Sequence, residues 1–263
     1  MKGWQGGTCP RTGGWRRNRG GRAATRFRPL VLLWAVLISL LLPVASFGAE
    51  EAVLFREDFH SLAQWEPLTF PKIKAHSTYT LVKEGGKTVL KAESRAAASG
   101  LVCRRTFNIY DYPRLRWRWK VTQLSDRGNP KEKEGDDYPI RVYVLFQYDP
   151  TRATMGEHLI YNATKLLYGK YPPHSTLNYV WTGRKIPERF IVSPYTDKAR
   201  MVILERGRER LGRWVEESVN VLEDYRRSFG KDPPATAGIA VMSDTDNTGT
   251  TAEAYVDFIE VGR

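Results

Sequence analysis

Two neighbouring carboxylates open the chemistry of this chain. In "EGDDYPIRVYVLF", Asp136 and Asp137 stand just ahead of Arg141 and Tyr143. Adjacent carboxylates at the mouth of a strand can share acid and base work or form half of a metal site. With Arg141 neutralising a substrate carboxylate and Tyr143 acting as base, the set suits a polysaccharide lyase. With two carboxyls flanking a cleft, it suits a glycoside hydrolase. These four residues are the candidate catalytic set. The competing reading is a polar turn that starts a strand.

A second acidic group lies in "MSDTDNTGTTAEAY". Asp244, Asp246, Thr248 and Gly249 fall on the first, third, fifth and sixth positions of a calcium loop. The twelfth position, where a bidentate carboxylate belongs, is Tyr255, and the flanks read as strands. An EF-hand is therefore excluded. Calcium on a sandwich loop is the metal expectation, with Asp244, Asp246 and Thr248 as ligands. The alternative is a connection in which Asp, Asn, Thr and Gly serve the backbone through Asx turns.

The third pattern is "RLRWRWKV". Leu115, Trp117, Trp119 and Val121 share one face of a strand, and Arg114, Arg116, Arg118 and Lys120 share the other. The tryptophan face reads as core, or alternatively as a platform for a sugar ring. On the following strand Arg141 and Tyr143 oppose Ile140, Val142, Val144 and Phe146. If these strands were neighbours, the basic row would continue across one sheet. Four cations in a row require acids from adjacent strands, with Glu205, Glu216 and Glu217 available, or an anionic or polyhydroxylated ligand. Tyr179 and Trp181, on one face of "LNYVWTG", read either as core or as stacking rings. The candidate ligand groove is thus Arg116, Arg118, Arg141, Tyr143, Tyr179 and Trp181, with its cations favouring uronates or phosphorylated sugars.

Other chemistries lack their residues. His60, His76, His158 and His174 show no metal-ligand spacing, and there is no G-x-S-x-G or phosphate-binding glycine loop. Cys103, in "SGLVCRRTF", reads as a small buried hydrophobe.

The elements that must position these groups are mostly strands. Eleven short segments of alternating pattern run from "AVLFREDF" to "AEAYVDFIEV", and Gly85-Gly86 marks a hairpin. Two helices are expected, over 154–168 and over 221–229, the second stopped by Gly230 and Pro233-Pro234. The expected fold is all-β: a single-domain, jelly-roll-like β-sandwich with one or two short helices, its first and last strands side by side.

The amino terminus reads as a targeting segment. Residues 1–28 carry eight Lys/Arg and no acid, and residues 30–42 form an apolar run broken only by Ser39, followed by "PVASFGAE". This is the pattern of a secretory signal over residues 1–49, and the apolar run is shorter than the ~20 residues of a membrane span. Residues 50–263 then form the domain, with 33 basic against 29 acidic residues, so the net charge of +12 belongs mostly to the signal. Nucleic acid is not an expected partner. Neither is a membrane span after signal cleavage. The expected location is periplasmic or secreted.

The segments "LRWRWKV", "GDDYPIRVYVLF", "LGRWVEESVNVLEDYRRSFG", "GIAVMSDTDNTG" and "AYVDFIEV" together resemble a bacterial family of exported proteins catalogued as domain of unknown function 3047. The resemblance covers about residues 53–261. It implies a single exported domain and no assigned activity. The functional expectation is a non-catalytic binding protein for a glycan or other envelope polymer. The alternatives are a lyase or hydrolase on the same scaffold, and a structural envelope protein without a small ligand.

Overall fold

The computed structural model describes residues 52–168 and 171–263. The expected signal lies outside the described residues. In chain order the elements are β1 (Val53–Glu57), β2 (Trp65–Leu68), β3 (Thr78–Glu84), β4 (Lys87–Arg95), β5 (Ala98–Asn108), β6 (Arg114–Gln123) and β7 (Tyr138–Phe146). Then come α1 (Met155–Tyr168), β8 (Ser175–Thr182), β9 (Phe190–Ser193), β10 (Thr196–Arg206), β11 (Val215–Asn220), α2 (Val221–Phe229), β12 (Thr236–Asp244) and β13 (Thr251–Gly262).

The strands form two sheets. The first has the order β11-β6-β13-β4-β3, with β1 also paired to β13; the second has the order β2-β5-β12-β7-β8-β10-β9. The first and last strands are antiparallel partners, as the jelly-roll-like reading expects. Two strands escape the sequence pattern, β2 and β9. Each has four residues and lies at an edge of the second sheet. Such edges are kept short, and Pro67 within β2 is tolerated only there.

Local chemistry explains the joints. The β3–β4 hairpin pairs Glu84 with Lys87 across Gly85 and Gly86, whose φ values of 56° and 80° demand glycine. α1 begins with a capping box: the Glu157 amide donates to Thr154 Oγ1, and the Thr154 amide donates to the Glu157 carboxylate at 2.9 Å. α2 is capped by Asn220, whose side chain accepts from the Glu223 amide, and stops at Gly230 in the left-handed region.

The core lies between the sheets. Trp117 and Trp119 of β6 meet Tyr179 and Trp181 of β8, with ring centroids 5.3 and 6.1 Å apart. All four are fully buried, so the tryptophan face of β6 is core. Cys103 is buried among these apolar groups, and burial raises its thiol pKa.

One expectation about neighbours is overturned. β6 and β7 do not pair: β6 lies between β11 and β13 in one sheet, and β7 between β12 and β8 in the other. Both strands turn their apolar faces into the core. The cations of β6 and Arg141 of β7 therefore lie on opposite outer faces of the sandwich, and the basic row does not continue across one sheet.

Candidate functional site

The basic row of β6 is a ladder of ion pairs. Arg116 bonds Glu216 at 2.7 Å and Glu260 at 2.9 Å. Arg118 pairs with Asp257, and Lys120 with Glu84. The Trp214 ring lies 5.2 Å from the Arg118 guanidinium and 5.1 Å from the Lys120 ammonium. Cross-strand acids do hold these cations, though only Glu216 is among the three expected. Glu205 pairs with Arg210, and Glu217 sits beside the core residues Val215 and Val219 on the inward face of β11. The six-residue groove expected from the sequence does not assemble. Tyr179 and Trp181 are at 0% exposure, their polar atoms engaged by Asp224 and by the Gly207 carbonyl. Neither ring has a face left for a sugar.

The other outer face is different. Arg141 and Tyr143 project from β7 toward β12, where Arg141 is in register with Met242 and Tyr143 with Ala240. Here the two acidic segments converge. Asp136 and Asp137 lie in the turn before β7, and Asp244 and Asp246 lie at the end of β12 and just beyond it. Arg141 is 3% exposed. Its Nε donates to Asp244 Oδ1 at 2.9 Å and Nη1 to Asp136 Oδ2 at 3.3 Å, and Nη2 bonds Asp244 Oδ2 and the Asp136 carbonyl. All three guanidinium nitrogens thus have partners within the protein. Burial raises the Tyr143 pKa, opposed by Arg141, and its hydroxyl donates to Met242 Sδ at 3.3 Å.

The carboxylates have separate tasks. Asp137 accepts the amides of Asn247 and Thr248 at 3.2 and 2.6 Å, folding the β12–β13 loop back onto the turn before β7. Burial pushes the Asp136 carboxyl above its usual range, opposed by Arg141. Burial and then the Asp137 charge push Asp246 the same way. One oxygen from each of Asp137, Asp244 and Asp246 lies within 4.8 Å of the others. The Thr248 Oγ1 bonds Thr250 Oγ1 at 2.7 Å, and its amide serves Asp137. Of the expected ligand set, Asp244 and Asp246 come together here, and Asp137 joins them.

Above this network lies a pocket of about 510 Å³. Asp136, Arg141, Tyr143, Met242, Asp244 and Asp246 line it, and the β2–β3 loop adds Phe70 and Lys72. Tyr195, at the tip of the β9–β10 turn, and Asn247 complete the wall. Tyr195 is 54% exposed, and its hydroxyl receives the Asn247 amide and donates to the Lys133 carbonyl. Sequence reasoning missed Phe70, Lys72, Tyr195 and Asn247. The signal for Tyr195 was an aromatic residue next to Pro194 in a turn between two apolar segments.

A family model described as protein of unknown function (DUF3047) matches residues 63–260, and the chain belongs to that family. No curated protein matches the chain. Among solved structures, the chain is similar to a family 11 carbohydrate-binding module from Clostridium thermocellum in complex with a β-1,3-1,4-mixed-linked tetrasaccharide. That pair has 10% identity and a TM-score of 0.40, covering 80% of this chain and 94% of that one. It is also similar to the K1 cleaved adhesin domain of Lys-gingipain from Porphyromonas gingivalis, at 11% identity and a TM-score of 0.36, covering 79% and 96%. A third is the winged bean acidic lectin complexed with methyl-α-D-galactose, at 10% identity and a TM-score of 0.33, covering 79% and 96%.

Proposed function

We propose that this member of the family is an exported, non-catalytic binding protein whose pocket on the outer face of the seven-stranded sheet takes a glycan. One observation carries the reading. An exposed tyrosine ring, Tyr195, is held by Asn247 at the rim of a pocket whose wall also carries Asp246 and Lys72. Sugars are bound by such pairings: ring C–H faces stack on an aromatic, while side-chain carboxylates, amides and ammonium groups bond the hydroxyls. The fixed network beneath, with Arg141 joining Asp136 to Asp244, keeps the wall preorganised.

The charge of the pocket points to a neutral glycan. Three aspartates line it against Arg141 and Lys72, while the cations of β6 that would attract uronates are paired on the opposite face. The test is affinity electrophoresis through gels containing neutral β-glucans, mannans or galactans, with a uronate polymer as comparison. Retardation by at least one neutral polysaccharide, reduced in Tyr195→Ala, is expected. Retardation by the uronate polymer alone, or equal retardation of Tyr195→Ala, would refute the reading.

A further inference from the structure

We propose that the glycan pocket continues along β12 into a second cavity, so that the protein binds a run of several linked sugars lying between Tyr195 and Tyr171. The inference rests on the glycan reading above and names its ligand, a linear neutral chain and not a lone sugar.

The second cavity, of about 390 Å³, opens on the same outer face of the seven-stranded sheet. Its lining includes Leu68, Val102, Leu145, Gly238, Gln147 and Tyr171. The two cavities follow one another along the same strands. On β7, Arg141 and Tyr143 line the first and Leu145 lines the second, each being the next outward residue. Their register partners on β12 are Met242, Ala240 and Gly238. Met242 lines the first cavity and Gly238 the second, with Ala240 between. Leu68 ends β2 in the second cavity, and Phe70, just beyond it, lines the first. From Arg141 to Leu145 the floor runs about 14 Å, at ~3.4 Å per residue. That is longer than one sugar ring.

Gly238 is an independent sign of a ligand. Glycine weakens a strand interior and marks places where a ligand or another backbone comes close. Here no backbone does: a Cβ at Gly238 would meet nothing nearer than Thr106 Cγ2 at 3.9 Å. Its φ lies outside the left-handed region, so the backbone does not demand glycine. The extra residues of the neighbouring bulge lie on β5, between Val102 and Thr106, so the bulge does not demand it either. The missing side chain leaves the floor of the second cavity open.

The two ends carry the same device. The half-buried Tyr171 donates its hydroxyl to Asn162 Oδ1 at 2.9 Å, as Tyr195 is tied to Asn247. Between them Leu68, Val102 and Leu145 give an apolar surface for sugar C–H faces, and the exposed Thr106 and Gln147 offer a hydroxyl and an amide. None of the described residues lining the second cavity is charged, which suits an uncharged chain.

The test is calorimetric titration of gluco-, manno- and galacto-oligosaccharides, as disaccharides and as hexasaccharides, into the parent, Tyr195→Ala, Tyr171→Ala and Gly238→Val. Gly238→Val fills the floor of the second cavity where its Cβ has room, and melting midpoints check that each variant is folded. In at least one series the hexasaccharide should bind the parent at least tenfold more tightly than the disaccharide. Tyr171→Ala and Gly238→Val should each cut that advantage at least fivefold, whereas Tyr195→Ala should weaken both lengths. Equal affinity for the two lengths in the parent would overturn the second cavity. So would an undiminished hexasaccharide advantage in Tyr171→Ala and Gly238→Val. With binding still lost in Tyr195→Ala, either result leaves the first pocket standing. No binding of any series to the parent, or no loss in Tyr195→Ala, overturns both readings.

Discussion

Glu217 offers a sharp test of how the two sheets are packed. It sits on the inward face of β11 between Val215 and Val219, and its Oε1 is buried without a hydrogen-bond partner. Burial, then the Glu205 charge, raise its pKa from the ordinary 4.5 to about 7. The folded protein therefore holds this proton more tightly than the unfolded chain does. The stabilisation is fully present below about pH 4.5, falls as pH rises, and is gone above about pH 7. A separation between 4.5 and about 7 corresponds to about 3 kcal/mol at ~1.4 kcal/mol per tenfold change in proton affinity. Glu217→Gln keeps the shape and cannot ionise. Urea unfolding of both proteins at intervals from pH 4 to pH 8 should show the variant gaining about 3 kcal/mol relative to the parent across that range. In a domain of this length that equals roughly 6–12 °C in melting midpoint. Parallel pH profiles for the two proteins would show that Glu217 titrates as an exposed glutamate and that the placement of β11 over the core is wrong.

Other consequences follow from the same packing. Trp181→Ala should cost about 3–5 kcal/mol by urea unfolding, because the ring is fully buried against Trp119. Arg116→Ala should cost no more than about 1 kcal/mol, since its bridges are partly exposed and Glu260 keeps Arg56 as partner. Asn220→Ala removes the α2 cap and should lower stability by about 1 kcal/mol, read as a midpoint drop of roughly 2–4 °C. Cys103 is 5% exposed with its thiol pKa raised by burial, so a disulfide reagent should leave it untouched in the native protein and label it fully in denaturant.

Much of the fold was legible because period-2 patterns speak for one strand at a time. The eleven longer strands, the Gly85-Gly86 hairpin and α2 all follow from local residues. β2 and β9 were not legible, since four-residue edge strands carry too few alternations to register. The pairing of strands was hidden for another reason. Adjacent segments such as β6 and β7 look like neighbours, yet each buries its own apolar face and they end in different sheets. That single error moved Arg116 and Arg118 into a groove with Arg141. The site itself was half legible. Asp136, Asp137, Asp244 and Asp246 stood out as acid pairs at strand ends. That the two pairs meet depends on β7 lying beside β12, a contact between segments far apart in the chain. Tyr195 and Asn247 join them only through tertiary structure.

The two outer faces of the sandwich make opposite claims on a ligand, and one titration decides between them. The polysaccharide that most retards the parent protein would be titrated by calorimetry into the parent, Tyr195→Ala and Arg116→Ala. Binding in the pocket predicts at least a tenfold loss, about 1.4 kcal/mol, for Tyr195→Ala and unchanged affinity for Arg116→Ala. Loss of affinity in Arg116→Ala with Tyr195→Ala unchanged would place the ligand on the ion-paired face and contradict the account.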